Sequence, residues 1–338
     1  MRTRIEVNPK EIARIIKIIN GHLNDEIRIN DLLLELLRIK VSSSDYLFIL
    51  LSKLQKIGLV EGRRGILKIK GVIDNELSHS LIEKINREVS KMKILVTPLE
   101  VAKFYQCPRR FYLEKVVLSR QFKKERGRVW DGEVLHLAVQ MFINNLSKGN
   151  VDELMAKIPK TTLKKYAGKI TITEKDVRDF LMKLYRLTKD EKFDFLVSER
   201  TLLSIKNGLR GTPDLIARNE SGEFIPIDVK LGKIDRRGIK KEHMLQNTGE
   251  AILVEDFLRT KIDKSCLIYF RSDSVIQTEL KRDIKKEFIS LKRELERMSK
   301  KGVIPPMSKL PNARARVCRG CHVKPSCDNI EELSGMGR

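Results

Sequence analysis

Asp214 lies in the run LRGTPDLIARN, and Asp228 and Lys230 lie two apart in EFIPIDVKLGK. Both runs read as strands, so Asp228 and Lys230 project from one face. Gly222 falls between them where a turn is needed, which makes the runs the arms of a hairpin and sets Asp214 beside Asp228 and Lys230. Two carboxylates side by side repel, and burial sharpens the repulsion; a divalent cation with hard oxygen ligands keeps both ionised. A lysine beside that cation suits an anionic substrate, either by holding an attacking water or by neutralising charge on a phosphate. The expected chemistry is metal-assisted hydrolysis of a phosphodiester. Acid–base alternation on a wet strand face would also produce Asp-x-Lys, with no chemistry attached. Asp228 sits between Ile227 and Val229 in an otherwise apolar strand, which favours a placed polar group.

A second set of reactive side chains closes the chain. CRGCHVKPSC puts Cys318, Cys321 and Cys327 at C-x2-C-x5-C. Clustering of this kind in a reducing compartment points to metal rather than disulfides. Three ligands do not complete a structural site. A set of four thiolates suits zinc or an iron–sulfur cluster equally, and His322 competes for a place. Cys266, in the apolar run CLIYF, reads as a buried small hydrophobe.

The elements that must hold these groups are legible in outline. With 338 residues the chain is long enough for two or three domains. Its net charge of +23 favours a polyanionic partner, nucleic acid before membrane, and most of that surplus lies beyond residue 92. No run of 18 apolar residues and no secretory start are present, so a cytoplasmic location is expected. Helices are predicted over 9–20, 29–39 and 43–57, followed by two short strands around a Gly-Arg-Arg-Gly turn carrying Arg63 and Arg64. A connecting helix covers 73–91, and Thr97, Pro98 and Glu100 form a capping box that starts a helix just before Cys107. A helix follows over 127–146 and helical text over 150–190. Strands are predicted over 194–206, 209–218 and 223–231, then a helix over 240–259, strands over 265–270 and 275–280, and a charged helix over 281–300. This order implies a mixed α/β sheet with flanking helices.

Three helices and a basic hairpin within residues 1–72 resemble a winged helix-turn-helix, a small α+β unit; residues 73–92 form a helical linker and 93–338 the main domain. The functional version of that resemblance has the third helix and the wing touching DNA. The alternative is a module that docks onto protein, and the markedly apolar third helix leaves both open.

The text GTPDLIARNESGEFIPIDVKLGK resembles the core of the PD-(D/E)XK nucleases, RecB branch, whose fold is restriction-endonuclease-like. Gly132-Glu-Val-Leu-His136 stands where RecB-like members carry Gly-x-x-x-His, and HMLQNTGEA places Gln246 in register with their Gln-x-x-x-Tyr helix. Glu250 occupies the tyrosine position, a departure. The resemblance implies Mg²⁺ or Mn²⁺ held by His136, Asp214 and Asp228, with the Val229 carbonyl as a further ligand. Lys230 would position the water and Gln246 would support it. Glu199, in VSERTLL, matches an acidic position on the first strand of such folds. The same helix's basic residues, Lys240, Lys241 and His243, fit a phosphate contact.

One RecB-like group brackets this core with four cysteines, and CPRRFYL supplies Cys107 as partner to Cys318, Cys321 and Cys327. The resemblance thus implies a 4Fe–4S cluster clasping the two ends of the domain. It is similar to the CRISPR-associated RecB-like iron–sulfur exonucleases, which implies single-stranded DNA ends as substrate, trimming of fragments before spacer integration, and spacer-integration proteins as partners. A repair, recombination or viral nuclease is the second reading. A non-catalytic DNA-binding adaptor is the third.

Overall fold

The structure is a computed structural model that describes residues 8–63, 65–89, 95–115, 127–147, 149–272, 274–302 and 314–335. Helix α1 (Pro9–Gly21) starts where the Asn8 side chain accepts the Lys10 N–H and Pro9 supplies a fixed φ, and it buries Ile12, Ile15, Ile16 and Ile19. Strand β1 (Glu26–Arg28), helices α2 (Ile29–Arg38) and α3 (Ser44–Lys56), and strands β2 (Val60–Arg63) and β3 (Ile66–Ile69) follow. The strands form a sheet in the order β1-β3-β2. Arg64 of the turn between β2 and β3 lies outside the described residues, as does the expected domain boundary at residue 93. Helix α4 (Asn75–Val89) is tethered to α1 by the Asn20 amide, which both donates to and accepts from Ile73 at 2.9 Å.

Helix α5 (Pro98–Gln106) opens with the expected capping box, in which Thr97 and Glu100 bond each other's backbone. Helices α6 (Pro108–Lys115), α7 (Gly127–Asn145), α8 (Val151–Lys165) and α9 (Glu174–Asp190) lead to β4 (Phe193–Ser198), β5 (Leu202–Ser204), β6 (Leu209–Gly211), β7 (Leu215–Asn219) and β8 (Phe224–Lys230). Helix α10 (Lys241–Leu258) crosses to β9 (Lys264–Tyr269), and β10 (Ser274–Glu279) and α11 (Arg282–Lys301) complete the sheet layer. Two short helices, α12 (Arg314–Arg319) and α13 (Lys324–Gly335), carry Cys318 and Cys327, with Cys321 between them. Among the described residues no helix is long and apolar enough to cross a membrane.

The main sheet has the order β10-β9-β8-β7-β4, with β8 and β9 parallel and the other pairs antiparallel. This is the mixed α/β sheet with flanking helices that the element order implies. The strand text differs in one respect. The runs 194–206 and 209–218 each break into two strands, and β5 pairs with β6 in a separate small sheet. Glu199 takes a left-handed φ of 44°, which turns the chain out of β4. Pro213 cannot donate to a ladder, so the second run is interrupted just before β7. Asp214 therefore precedes its strand rather than lying within it.

Both faces of the sheet are covered. Helices α7, α8 and α9 pack on Ile225, Ile227, Val229, Cys266 and Ile268. The opposite core joins α5, α10 and α11 to the N-terminal helices in one continuous cluster. Gly249 permits that packing, because a Cβ there would meet Phe288 at 2.4 Å and Pro98 at 2.8 Å.

The N-terminal module is thus docked, and the docking uses the start of α3. Ser42 O accepts the Leu203 N–H at 2.7 Å, and Asp45 accepts the Ile205 N–H at 3.1 Å while pairing with Arg259. The Arg259 guanidinium lies 4.8 Å above the Phe48 ring. Buried Arg200 reaches across to Leu37 O at 3.0 Å. Because the two regions share a core, heat is expected to unfold them in one transition. Asp45→Ala, which orphans the Ile205 N–H and the arginine, is expected to cost about 1–3 kcal/mol. Calorimetry checks this: two transitions, or an unchanged midpoint, would contradict the shared core.

Candidate active site

The hairpin register fixes the centre of the site. Leu215 pairs with Ile227, which sets Asp214 across from Asp228. Alternation along β8 sends Ile227 and Val229 into the α7–α9 core and leaves Asp228 and Lys230 on the α10 side. Asp214 Oδ2 accepts the Val229 N–H at 2.7 Å, and Oδ1 lies 3.1 Å from His136 Nδ1 on α7. Lys230 Nζ donates to Asp228 Oδ1 at 2.9 Å and to Gln246 Oε1 at 2.8 Å. The Gln246 amide then donates to Glu250 Oε1 at 2.9 Å and, more weakly, to Asp228 Oδ1 at 3.3 Å. One turn beyond His136 on the same helix, Gln140 donates to Glu199 Oε2 at 2.9 Å. The Glu199 N–H donates to Asp214 O at 2.9 Å.

The structure therefore gathers His136, Glu199, Asp214, Asp228, Lys230 and Gln246 at the end of β8, between α7 and α10. Gln140, Glu250 and Tyr269 join them without having been singled out for such roles. Gln140 had a signal in its spacing of four from His136. Tyr269 had none, because only the parallel pairing of β9 with β8 sets it beside Lys230. On α10, His243 lies against Tyr269, with ring centroids 5.7 Å apart. Burial and the neighbouring Lys230 push its imidazole down to about 4, and its Nδ1 lies 2.8 Å from the Tyr269 hydroxyl. Lys241 is paired with Glu287 at 2.6 Å.

The charges at the site do not balance. Four carboxyls face one lysine and one histidine. Burial, with Asp214 nearby, pushes Asp228 up to about 6 despite Lys230. Burial likewise raises Glu199 and, well above its usual range, Glu250. Burial opposes charge on Lys230 and His136, but the surrounding carboxylates outweigh it and raise both. Asp228 Oδ2 lies 2.7 Å from Lys230 Nζ yet receives no aligned hydrogen bond, and Glu250 Oε2 has none either. Excess carboxylate with an orphaned buried oxygen fits a cation. As placed, no three His, Cys, Asp or Glu side chains among the described residues form a ready ligand group. The carboxylates instead share their protein donors.

Glu250→Gln is expected to stabilise the protein in the absence of divalent cations, by about 2–4 °C in Tm. The folded-state value of Glu250 is raised, so the native state retains a proton that the unfolded state releases above its ordinary value. The carboxyl thus costs stability at neutral pH and not at acid pH. The gain should vanish as pH falls through about 4, and a gain independent of pH would contradict this origin.

The cysteines form a second centre. Cys107 caps α5 at the entrance to α6, and α6 packs on α13. Cys107 lies within electrostatic reach of Cys321 and Cys318, and Cys321 within reach of Cys318 and Cys327. Burial first, and these mutual charges after it, push the Cys107 and Cys321 thiols up. N–H donors already point at sulfur: Arg110 N to Cys107 at 3.4 Å and Arg109 Nε to Cys327 at 3.2 Å. Four soft thiols with N–H donors fit a metal or an iron–sulfur group. His322 is drawn away to Glu114 at 3.0 Å. Cys266 is buried in β9, opposite Ile227 and Gln277, and its thiol is pushed up to about 12 by burial.

The sheet and its carboxylate–lysine hairpin define a class, the nucleases that cut with a divalent cation. The PD-(D/E)XK nuclease superfamily model matches residues 96–328, and the chain belongs to that superfamily. Its members are typically divalent-metal-dependent nucleases that use Mg²⁺ or Mn²⁺, and DNA is the substrate the superfamily implies. A comparison with curated proteins finds no match. Among solved structures, one described as "Crystal structure of SSO0001" is similar over 71% of this chain and 90% of its own, at 16% identity and a TM-score of 0.33.

Proposed function

We propose that the protein is a divalent-metal-dependent DNA exonuclease acting on single-stranded ends. The observation that carries this reading is Asp214 opposite Asp228, with Lys230 on Asp228 and an oxygen of Asp228 left without an aligned donor. His136, Asp214 and Asp228 would hold Mg²⁺ or Mn²⁺, with the Val229 carbonyl as a further ligand. When bound, such a cation would supply charge that acidifies water and neutralises the phosphate. Lys230 Nζ gives up part of its contact with Asp228 to hold the attacking water in line with the scissile bond. Gln246 keeps that ammonium aimed, because its carbonyl accepts from Nζ while its amide is fixed by Glu250. His136, on the open side of the site with 38% of its side chain exposed, faces the entering strand.

Cys107, Cys318, Cys321 and Cys327 hold a 4Fe–4S cluster in this reading. Bound there, it supplies a covalent link between distant chain segments rather than redox turnover. The order α1-β1-α2-α3-β2-β3 supports reading residues 8–72 as a winged-helix-like module. The burial of the start of α3 against β5 and α10 supports a role as a brace rather than a base reader. Resemblance to the CRISPR-associated RecB-like exonucleases extends the proposal to trimming DNA before spacer integration, with the integration proteins as partners. Incubation of 5′- and 3′-labelled single strands with Mn²⁺ tests the activity. Stepwise shortening from one end supports the reading, and internal fragments or an intact strand contradict it.

A further inference from the structure

We propose that a cavity beside the catalytic hairpin binds single-stranded DNA flanking the scissile phosphate. The site is separate from the residues assigned above, although its link to cleavage rests on that assignment. The cavity measures about 800 Å³ and opens where α9 meets the chain just beyond β8 and β9. Its walls carry Lys183 and Arg186 from α9, Lys233 beyond β8, and Arg271 beyond β9, with Phe180 and Phe270 between them.

Basic side chains outnumber acidic ones on the cavity wall. Two acids, Asp176 and Asp179, also line it, but both are engaged on their own helix. Asp176 accepts from Thr173 N at 2.8 Å and Thr173 Oγ1 at 2.7 Å, which holds its carboxyl below the usual range. Asp179 pairs with Lys175 at 2.6 Å. Among the described residues neither Arg186 nor Lys233 meets a carboxylate at ion-pair distance.

The wall is also held in place. Asp131, fully buried on α7, binds the Arg271 guanidinium at 3.3 Å and the Thr171 N–H at 2.7 Å. Arg271 N donates to Gly232 O at 3.3 Å, and Ile234 N donates to Ser272 Oγ at 3.2 Å. These bonds tie the chain beyond β8 to the chain beyond β9. Phe180 and Phe270 pack edge to face with centroids 5.4 Å apart. A buried carboxylate that orients one arginine on a cavity wall preorganises an anion contact.

Position and size then choose the ligand. Asp131 precedes His136 by about 7.5 Å along the α7 axis, and Lys233 follows Lys230 by at most about 10 Å of chain. One strand can span both places. The volume falls within the range of about 300–1,000 Å³ typical of small-ligand sites, enough for a nucleotide or two. Phe180 is buried in the core and Phe270 half-buried against it, so the contact with a single strand rests on the basic side chains, which track a backbone without sequence preference.

The test is fluorescence anisotropy of labelled oligothymidylate in EDTA across a salt series. Arg186→Ala/Lys233→Ala is expected to weaken binding on the order of tenfold and to flatten the log–log salt slope by about 1.4. Lys157→Ala/Lys160→Ala, which removes two exposed lysines of α8, is expected to bind as the unaltered protein does. Equal binding by both double variants overturns the proposal. So does an equal loss on blunt duplex DNA, or no oligothymidylate binding by the unaltered protein. With no divalent cation present, the outcome does not depend on cleavage. A protein that never cuts can still bind here, and one that cuts through Lys230 can still fail this test.

Discussion

Lys230→Ala and Asp214→Ala are each expected to lower divalent-metal-dependent DNA cleavage by about 10²–10³-fold or more, with the fold retained. The size follows from what each side chain does at the end of β8. Lys230 is the one ammonium on Asp228 among the described residues, and Gln246 aims it. Asp214 joins the Val229 backbone to His136, so its loss releases both. The fold survives Lys230→Ala because Asp228, already pushed up to about 6, takes a proton when the ammonium is gone. An isolated charge in that place would cost several kcal/mol. Circular dichroism and Tm measure the fold, and a labelled-strand assay measures the activity. Cleavage by both variants at the rate of the unaltered protein would remove the catalytic assignment.

Replacing any one of Cys107, Cys318, Cys321 or Cys327 by serine is expected to bleach the visible absorption of anaerobically purified protein and to lower its stability strongly. A link between Cys107 and the C-terminal cysteines closes most of the nuclease domain into one loop. By the loop-closure estimate for a crosslink, that is worth roughly 5 kcal/mol. Cys266→Ala should keep the absorption, because β9 buries that thiol among apolar side chains of the sheet. A colourless protein carrying one tightly bound zinc would keep the clasp and reject the cluster. Unchanged stability in all four serine variants would reject the clasp.

The hairpin that sets Asp214 beside Asp228 and Lys230 was legible because strand alternation is local. Asp228 and Lys230 share a face whatever else the chain does, and Gly222 with a φ of 82° turns the strand back so that Asp214 meets them. Two helices were legible for the same reason: α1 and α5 carry their own caps, and α1 its own apolar stripe. What could not be read depends on long-range pairing. Tyr269 reaches the site only because β8 and β9 run parallel. Glu250 looked like a missing tyrosine, and only the packing of α10 shows a buried carboxyl that fixes the Gln246 amide. The break of two expected strands at Glu199 and Pro213 arises from one left-handed residue and one absent donor. The docking of α3 follows from a core that two regions build together, which neither region's text discloses.

The most direct measurement is single-turnover cleavage of end-labelled single-stranded DNA by anaerobically purified protein, in Mn²⁺ and in EDTA, beside Lys230→Ala. The expected result is stepwise shortening in Mn²⁺ alone and an intact strand with the variant. Cleavage that persists in EDTA or in Lys230→Ala, or no cleavage under Mg²⁺ or Mn²⁺ by a protein whose absorption is intact, would contradict hydrolysis at this site.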